Sequence, residues 1–147
     1  MDDPYDLGRF AAAQDARGTY NQATAELRRG RKTSHWMWFV FPQIAGLGLS
    51  PTAQRYAISS LDEARAYLAH PVLGPRLIEC AGIVAATEGR SAEQIFGEID
   101  AMKLRSSVTL FLRAAPGEPV FAQVLGKYFD GQPDPATDRL IAGGARP

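Results

Sequence analysis

Thr33-Ser34-His35-Trp36-Met37-Trp38-Phe39-Val40-Phe41-Pro42-Gln43 is where the fold is decided. By periodicity alone, Trp36 to Phe41 suits either a buried strand or a buried helix. As a helix capped by Ser34, it places His35, Trp38, Phe39 and Pro42 on one side and Trp36, Val40 and Gln43 on another. Such a helix is apolar nearly all round and belongs at the centre of the fold. By ordinary burial preference Met37, Phe39 and Phe41 are core residues. His35 and Gln43 are different, because a buried imidazole or amide is costly unless something hydrogen-bonds to it.

The chain on either side favours helix. Asp6 to Ala16 carries Leu7, Phe10 and Ala11 at helical spacing, and Tyr20 to Arg29 continues until Gly30 stops it. Ser60-Leu61-Asp62-Glu63 and Ser91-Ala92-Glu93-Gln94 both read as capping boxes. Leu73, Leu77, Ala81 and Val84 or Ala85 share one helical face, as do Leu104, Val108, Phe111 and Leu112, and as do Phe121, Val124, Leu125 and Tyr128. A last short helix is expected from Ala136 to Ala142. No Asn-Gly hairpin occurs, and ten prolines cut up the candidate strands. The prediction is an all-α fold, a compact single domain over residues 1–147 with about seven to nine mostly short helices and no sizeable sheet.

Composition narrows the function classes. The 147 residues are 46% hydrophobic and carry no formal net charge, unlike a disordered tail or a chain that coats nucleic acid. No apolar stretch approaches the ~20 residues of a membrane span. Met1-Asp2-Asp3-Pro4 is unlike an export signal, so the expected setting is cytoplasmic, with no membrane partner. Cys80 is the only cysteine and reads as a small core residue rather than a nucleophile. With two distant histidines and no cysteine cluster, no metal site is expected. The zero net charge nevertheless hides a polarity. Residues 28–76 hold seven basic and two acidic side chains, and this basic third contains the aromatic run.

That run and its neighbours supply the candidate site. Gly46 and Gly48 permit backbone close to a ligand, and Ser50-Pro51 reads as an N-cap followed by the first residue of a helix. Arg31 and Lys32 stand nearby in sequence to complete an anion site. Asp100, Lys103, Ser106, Ser107 and Thr109 form a polar patch on an otherwise apolar helix. If that patch turns inward, Lys103 and Ser106 join the site. His35 is the candidate catalytic residue, since histidine can give or take a proton near neutral pH. Trp36 or Trp38 would stack on a flat group, and Gln43 would add a hydrogen bond. Together these fit a small anionic ligand, nucleotide-like in its demands.

Each feature also has a plainer reading: a loop, a solvated basic helix end, an ordinary Asp100–Lys103 ion pair. A non-catalytic interaction module with an aromatic and basic surface is the alternative function. Nucleic acid is not the expected partner, no cofactor is identified, and the residues name neither a reaction nor an oligomeric state.

The residues from Gly30 to Gln43, followed by Gly46-Leu47-Gly48, resemble the signature of the bacterial family called domain of unknown function 1810. The likeness extends through His70-Pro71-x-Leu73-Gly74, Ile95-Phe96-Gly97, Asp100-x-x-Lys103-Leu104-x-Ser106-Ser107 and Phe129-x-Gly131, covering roughly residues 5–141. The resemblance implies a compact, mostly helical domain and supports helix for Ser34 to Phe41. It implies no reaction.

Overall fold

The computed structural model describes residues 3–143. Its helices, in chain order, are α1 (Gly8–Asp15), α2 (Thr19–Arg28), α3 (Met37–Val40), α4 (Pro51–Arg55), α5 (Leu61–Ala69), α6 (Leu73–Ala86), α7 (Ala92–Phe96), α8 (Glu98–Ala114), α9 (Pro119–Phe129) and α10 (Pro135–Ala142). A short 3-10 turn, Ala16–Gly18, joins α1 to α2. Among the described residues there is no strand. An isolated parallel bridge between Ile44 and Ile58 pins the loop after α3 to the one before α5. The fold is all-α.

Helix α8 is the axis. It packs against α5, α7, α9 and α10, while α6 packs against α2, α5 and α9. Leu104, Val108 and Phe111 give α8 its buried face, as their three- and four-residue steps predict. Two aromatic groups fill the core. Phe10, Tyr67, Phe111 and Phe121 form a chain with ring centroids 5.1–5.9 Å apart. Trp36, Phe41 and Phe96 form a triangle at 6.2–6.4 Å. Cys80 is buried in the same core, and burial pushes its thiol up to about 12, which leaves it unreactive.

Capping chemistry explains most boundaries. Ser50 accepts from the Ala53 amide at 3.1 Å with Pro51 in the first turn, as expected. Ser91 and Gln94 close a full reciprocal box. The Ser60 box closes only halfway. Ser60 caps Glu63, but the Glu63 carboxylate turns to the Ser59 amide and hydroxyl and to Arg9, at 2.8–3.1 Å. The Arg9 guanidinium and the two Ser59 donors occupy both oxygens of this buried carboxylate, in place of the Ser60 amide.

The larger departure is at the aromatic run. Only Met37–Val40 is helical, and Ser34 does not cap it. The Ser34 amide and hydroxyl bond to the Glu26 carboxylate instead, at 3.0 and 2.5 Å. Residues 33–36 are therefore a loop folded around a buried charge.

Helix α10 is held by Asp134, which accepts from the Thr137 amide at 3.1 Å, the Thr137 hydroxyl at 2.5 Å and the Ser106 hydroxyl at 3.0 Å. The Asp134 amide in turn donates to Thr109 at 2.9 Å. Asp134→Ala removes this cap and its link to α8. It should lower stability by about 1–2 kcal/mol, roughly 3–6 °C in a melting curve. An unchanged melting temperature would show that the contact contributes nothing.

Candidate functional site

The site begins with Glu26, on the inner face of α2 and fully buried. Its carboxylate accepts five hydrogen bonds: from the Thr33 and Ser34 amides, the Ser34 hydroxyl, the Trp36 indole and the Gln22 amide. Burial alone would raise its pKa. The donors, Ser34 and Thr33 foremost, outweigh that and hold it down at about 2. Because Ser34 and Trp36 are both fastened to Glu26, the residue between them is presented outward. That residue is His35, which is exposed.

Lys32 is fastened from three sides. Its amide donates to the Ile95 carbonyl of α7 at 2.7 Å. Its ammonium donates to the Ser34 carbonyl at 2.6 Å and pairs with Asp100 at 2.8 Å. It also lies 5.1 Å from the centre of the Trp36 ring. Asp100 sits in the first turn of α8, where a helix N-terminus favours a carboxylate. Its second oxygen faces Lys103 at a looser 3.4 Å, and the Lys103 ammonium stands 4.9 Å from the Trp38 ring centre. One carboxylate thus serves two ammonium groups, each set against a tryptophan. Lys32 is nearly closed off, with 8% of its side chain exposed; Lys103 is more open, at 23%.

These groups wall a cleft of about 570 Å3, with Lys32, His35, Trp38, Asp100 and Lys103 on its polar side and Phe96 behind. Helix α8 opens into it at Gly97 with no side-chain cap, leaving the amides of its first turn available. Glu98 stands at the exposed rim, where solvent screens its charge. Two cations, one shared carboxylate, an open helix start and an imidazole can hold a phosphate or carboxylate by charge-assisted hydrogen bonds. Trp38, half-buried, offers a flat apolar wall.

The structure brings Lys32, His35, Trp38 and Lys103 together and leaves the other expected residues elsewhere. Trp36 is fully buried, its indole committed to Glu26 and its ring to Phe41 and Phe96, so it faces the core. Ser106 is bonded to Asp134 and to the Met102 carbonyl. Ser50 caps α4, and Arg31 is exposed outside the cleft. Gly46 adopts a φ of +105° against Leu140, and Gly48 lies where a Cβ would meet the Ala53 Cβ at 2.4 Å. Packing accounts for both glycines. Gln43 and Gly48 instead line an adjoining hollow that also includes Lys103.

Sequence reasoning missed Glu26, whose partners lie seven to ten residues ahead in a loop. The signal was present only as a carboxylate on an otherwise buried helix face. Among the described residues, no group of three or more His, Cys, Asp or Glu is placed to hold a metal, and no helix is long and apolar enough to cross a membrane.

Residues 4–141 match the family described as "Protein of unknown function (DUF1810)". Among curated proteins nothing matches the chain. Among solved structures, it is similar to the crystal structure of the conserved hypothetical protein Rv1873 from Mycobacterium tuberculosis. The two share 55% identity with a TM-score of 0.92, over 95% of this chain and 99% of that one.

Proposed function

Starting from a chain that belongs to the DUF1810 family, whose description carries no activity, we propose that the cleft between the 33–36 loop and α8 binds a small anionic ligand. The observation that supports this is the Lys32–Asp100–Lys103 cluster beside His35 and Trp38. Asp100 spends its closer contact on Lys32, so Lys103 is held loosely and keeps N–H groups for a ligand. His35, projecting from a pinned loop, supplies a second polar contact from the opposite wall and is the residue placed for proton transfer. The demands common to such ligands, a nucleotide-like molecule among them, are a phosphate or carboxylate at Lys103 and His35 and a flat or apolar group beside Trp38.

Calorimetric titration with inorganic phosphate, short carboxylates and nucleoside monophosphates tests the reading. Wild type should bind at least one class. Lys103→Gln should weaken binding tenfold or more, since a charge-assisted hydrogen bond is worth about 1.5–3 kcal/mol. Its effect on folding should stay within about 0.5 kcal/mol, as for other partly exposed ion pairs. Binding by Lys103→Gln equal to wild type would overturn the proposal. A flat titration throughout would favour the second reading, an interaction module. Its surface would be the exposed Ile99 and Met102 beside Lys103.

A further inference from the structure

The charged cleft does not end at Lys103. Beyond that side chain lies a second hollow of about 380 Å3, between Gln43, Leu47 and Gly48 of the α3–α4 loop and Ile99 and Met102 of α8. Ile99 and Lys103 wall both hollows, so the two lie side by side along α8. They differ in chemistry. The first is lined by two ammonium groups, two carboxylates (Glu98 at its rim) and an imidazole; the second is almost wholly aliphatic.

Residues 99, 102 and 103 lie at three- and four-residue steps on one face of α8. That face is solvent-facing, where a globular helix normally carries charged side chains. Here Ile99 and Met102 expose 72% and 71% of their surface. Single exposed apolar residues are ordinary. Two side by side on one helix face, lining a hollow next to a cation, form the kind of apolar surface that ligands cover. Lys103 joins the two hollows, because its methylene stem can lie along an apolar body while its ammonium holds an anion.

Resting on the anion-binding reading above, we infer that the ligand is a free amphiphile, a phosphate or carboxylate head with an aliphatic body. The head occupies the space between Lys103, His35 and the start of α8. The body lies along Ile99, Met102 and Leu47. Of the molecules that satisfy the head-group demand, the second hollow selects one with a hydrocarbon body rather than a sugar, since it offers few polar partners for hydroxyl groups.

The test is calorimetric titration of the whole chain with methyl, butyl and hexyl phosphate, each below its aggregation threshold. 1-Hexanol and vesicles of phosphatidylcholine with phosphatidic acid are run in parallel. Affinity should rise about two- to fourfold per methylene, the upper figure corresponding to about 0.8 kcal/mol for a buried CH2. Met102→Ser, at an exposed position that lines only the second hollow and adds no charge beside Lys103, should flatten that rise while leaving methyl phosphate binding unchanged. Equal affinity for all three phosphates would overturn the amphiphile and leave the anion site standing. Binding of hexanol as tight as hexyl phosphate would overturn the anion site and this inference with it, as would no binding at all. Binding to the vesicles without binding to free hexyl phosphate would overturn a free amphiphile in favour of a membrane surface.

Discussion

Glu26→Ala should lower the unfolding free energy by about 3–5 kcal/mol, or about 10–15 °C in melting temperature. Five donors converge on this one carboxylate, and four of them come from Thr33, Ser34 and Trp36. Truncation leaves those groups buried or half-buried with nothing to meet them. Glu26→Gln should be nearly as damaging, because its amide brings donors into a ring of donors. A loss below 1 kcal/mol in either variant would show that the loop is held by something else.

The same residue gives stability a pH signature. Its folded pKa, about 2, lies below the ordinary glutamate value of 4.5, so its contribution is present above pH 4.5 and is lost as pH falls toward 2. The shift corresponds to roughly 3 kcal/mol at neutral pH. Urea unfolding between pH 6 and 2 should show wild type losing that amount and Glu26→Ala losing correspondingly less. Parallel curves for the two proteins would refute the assignment.

Gly74→Ala should cost about 3 kcal/mol or more, through steric overlap that cannot be relieved by a rotamer change. Gly74 is buried in the first turn of α6. A Cβ there would lie 2.0 Å from the Leu68 carbonyl oxygen and 2.9 Å from its carbon, so the backbone of α5 must move. The corner is tight: the Gly74 amide donates to the His70 carbonyl at 3.1 Å, and His70 Nδ1 accepts from the Val72 and Leu73 amides. Gly82 supplies the control. It lies in the same helix, with nothing within 4 Å of where its Cβ would stand, so Gly82→Ala should stabilise by up to about 1 kcal/mol. Equal melting temperatures for the two variants would contradict the packing argument.

What could be read from the sequence follows the range of the interactions. Ser91 with Gln94, and Ser50 with Pro51, are local devices complete within four residues, and both stand where expected. The buried stripes of α6, α8 and α9 follow from periodicity. Ser34 did not cap a helix because a carboxylate from the preceding helix competes for it, and nothing within its own turn announces that competitor. The two tryptophans show the same limit. Placing them by helical phase requires a helix long enough to have a phase, yet α3 begins only after Trp36 and has four residues. Lys32 and Lys103 were legible as basic residues near aromatics. Their joining through Asp100 depended on Lys32 docking on α7, where its amide donates to the Ile95 carbonyl, a tertiary fact.

Trp36 and Trp38 are neighbours in the chain with opposite surroundings: one is sealed in the core against Glu26, the other borders the cleft beside Lys103. Their intrinsic emission therefore has two separable sources. The sealed indole should shift only when the molecule unfolds, whereas the bordering one should respond to a ligand bound as proposed. A single unlabelled spectrum carries both an occupancy signal and an internal standard for the integrity of the fold.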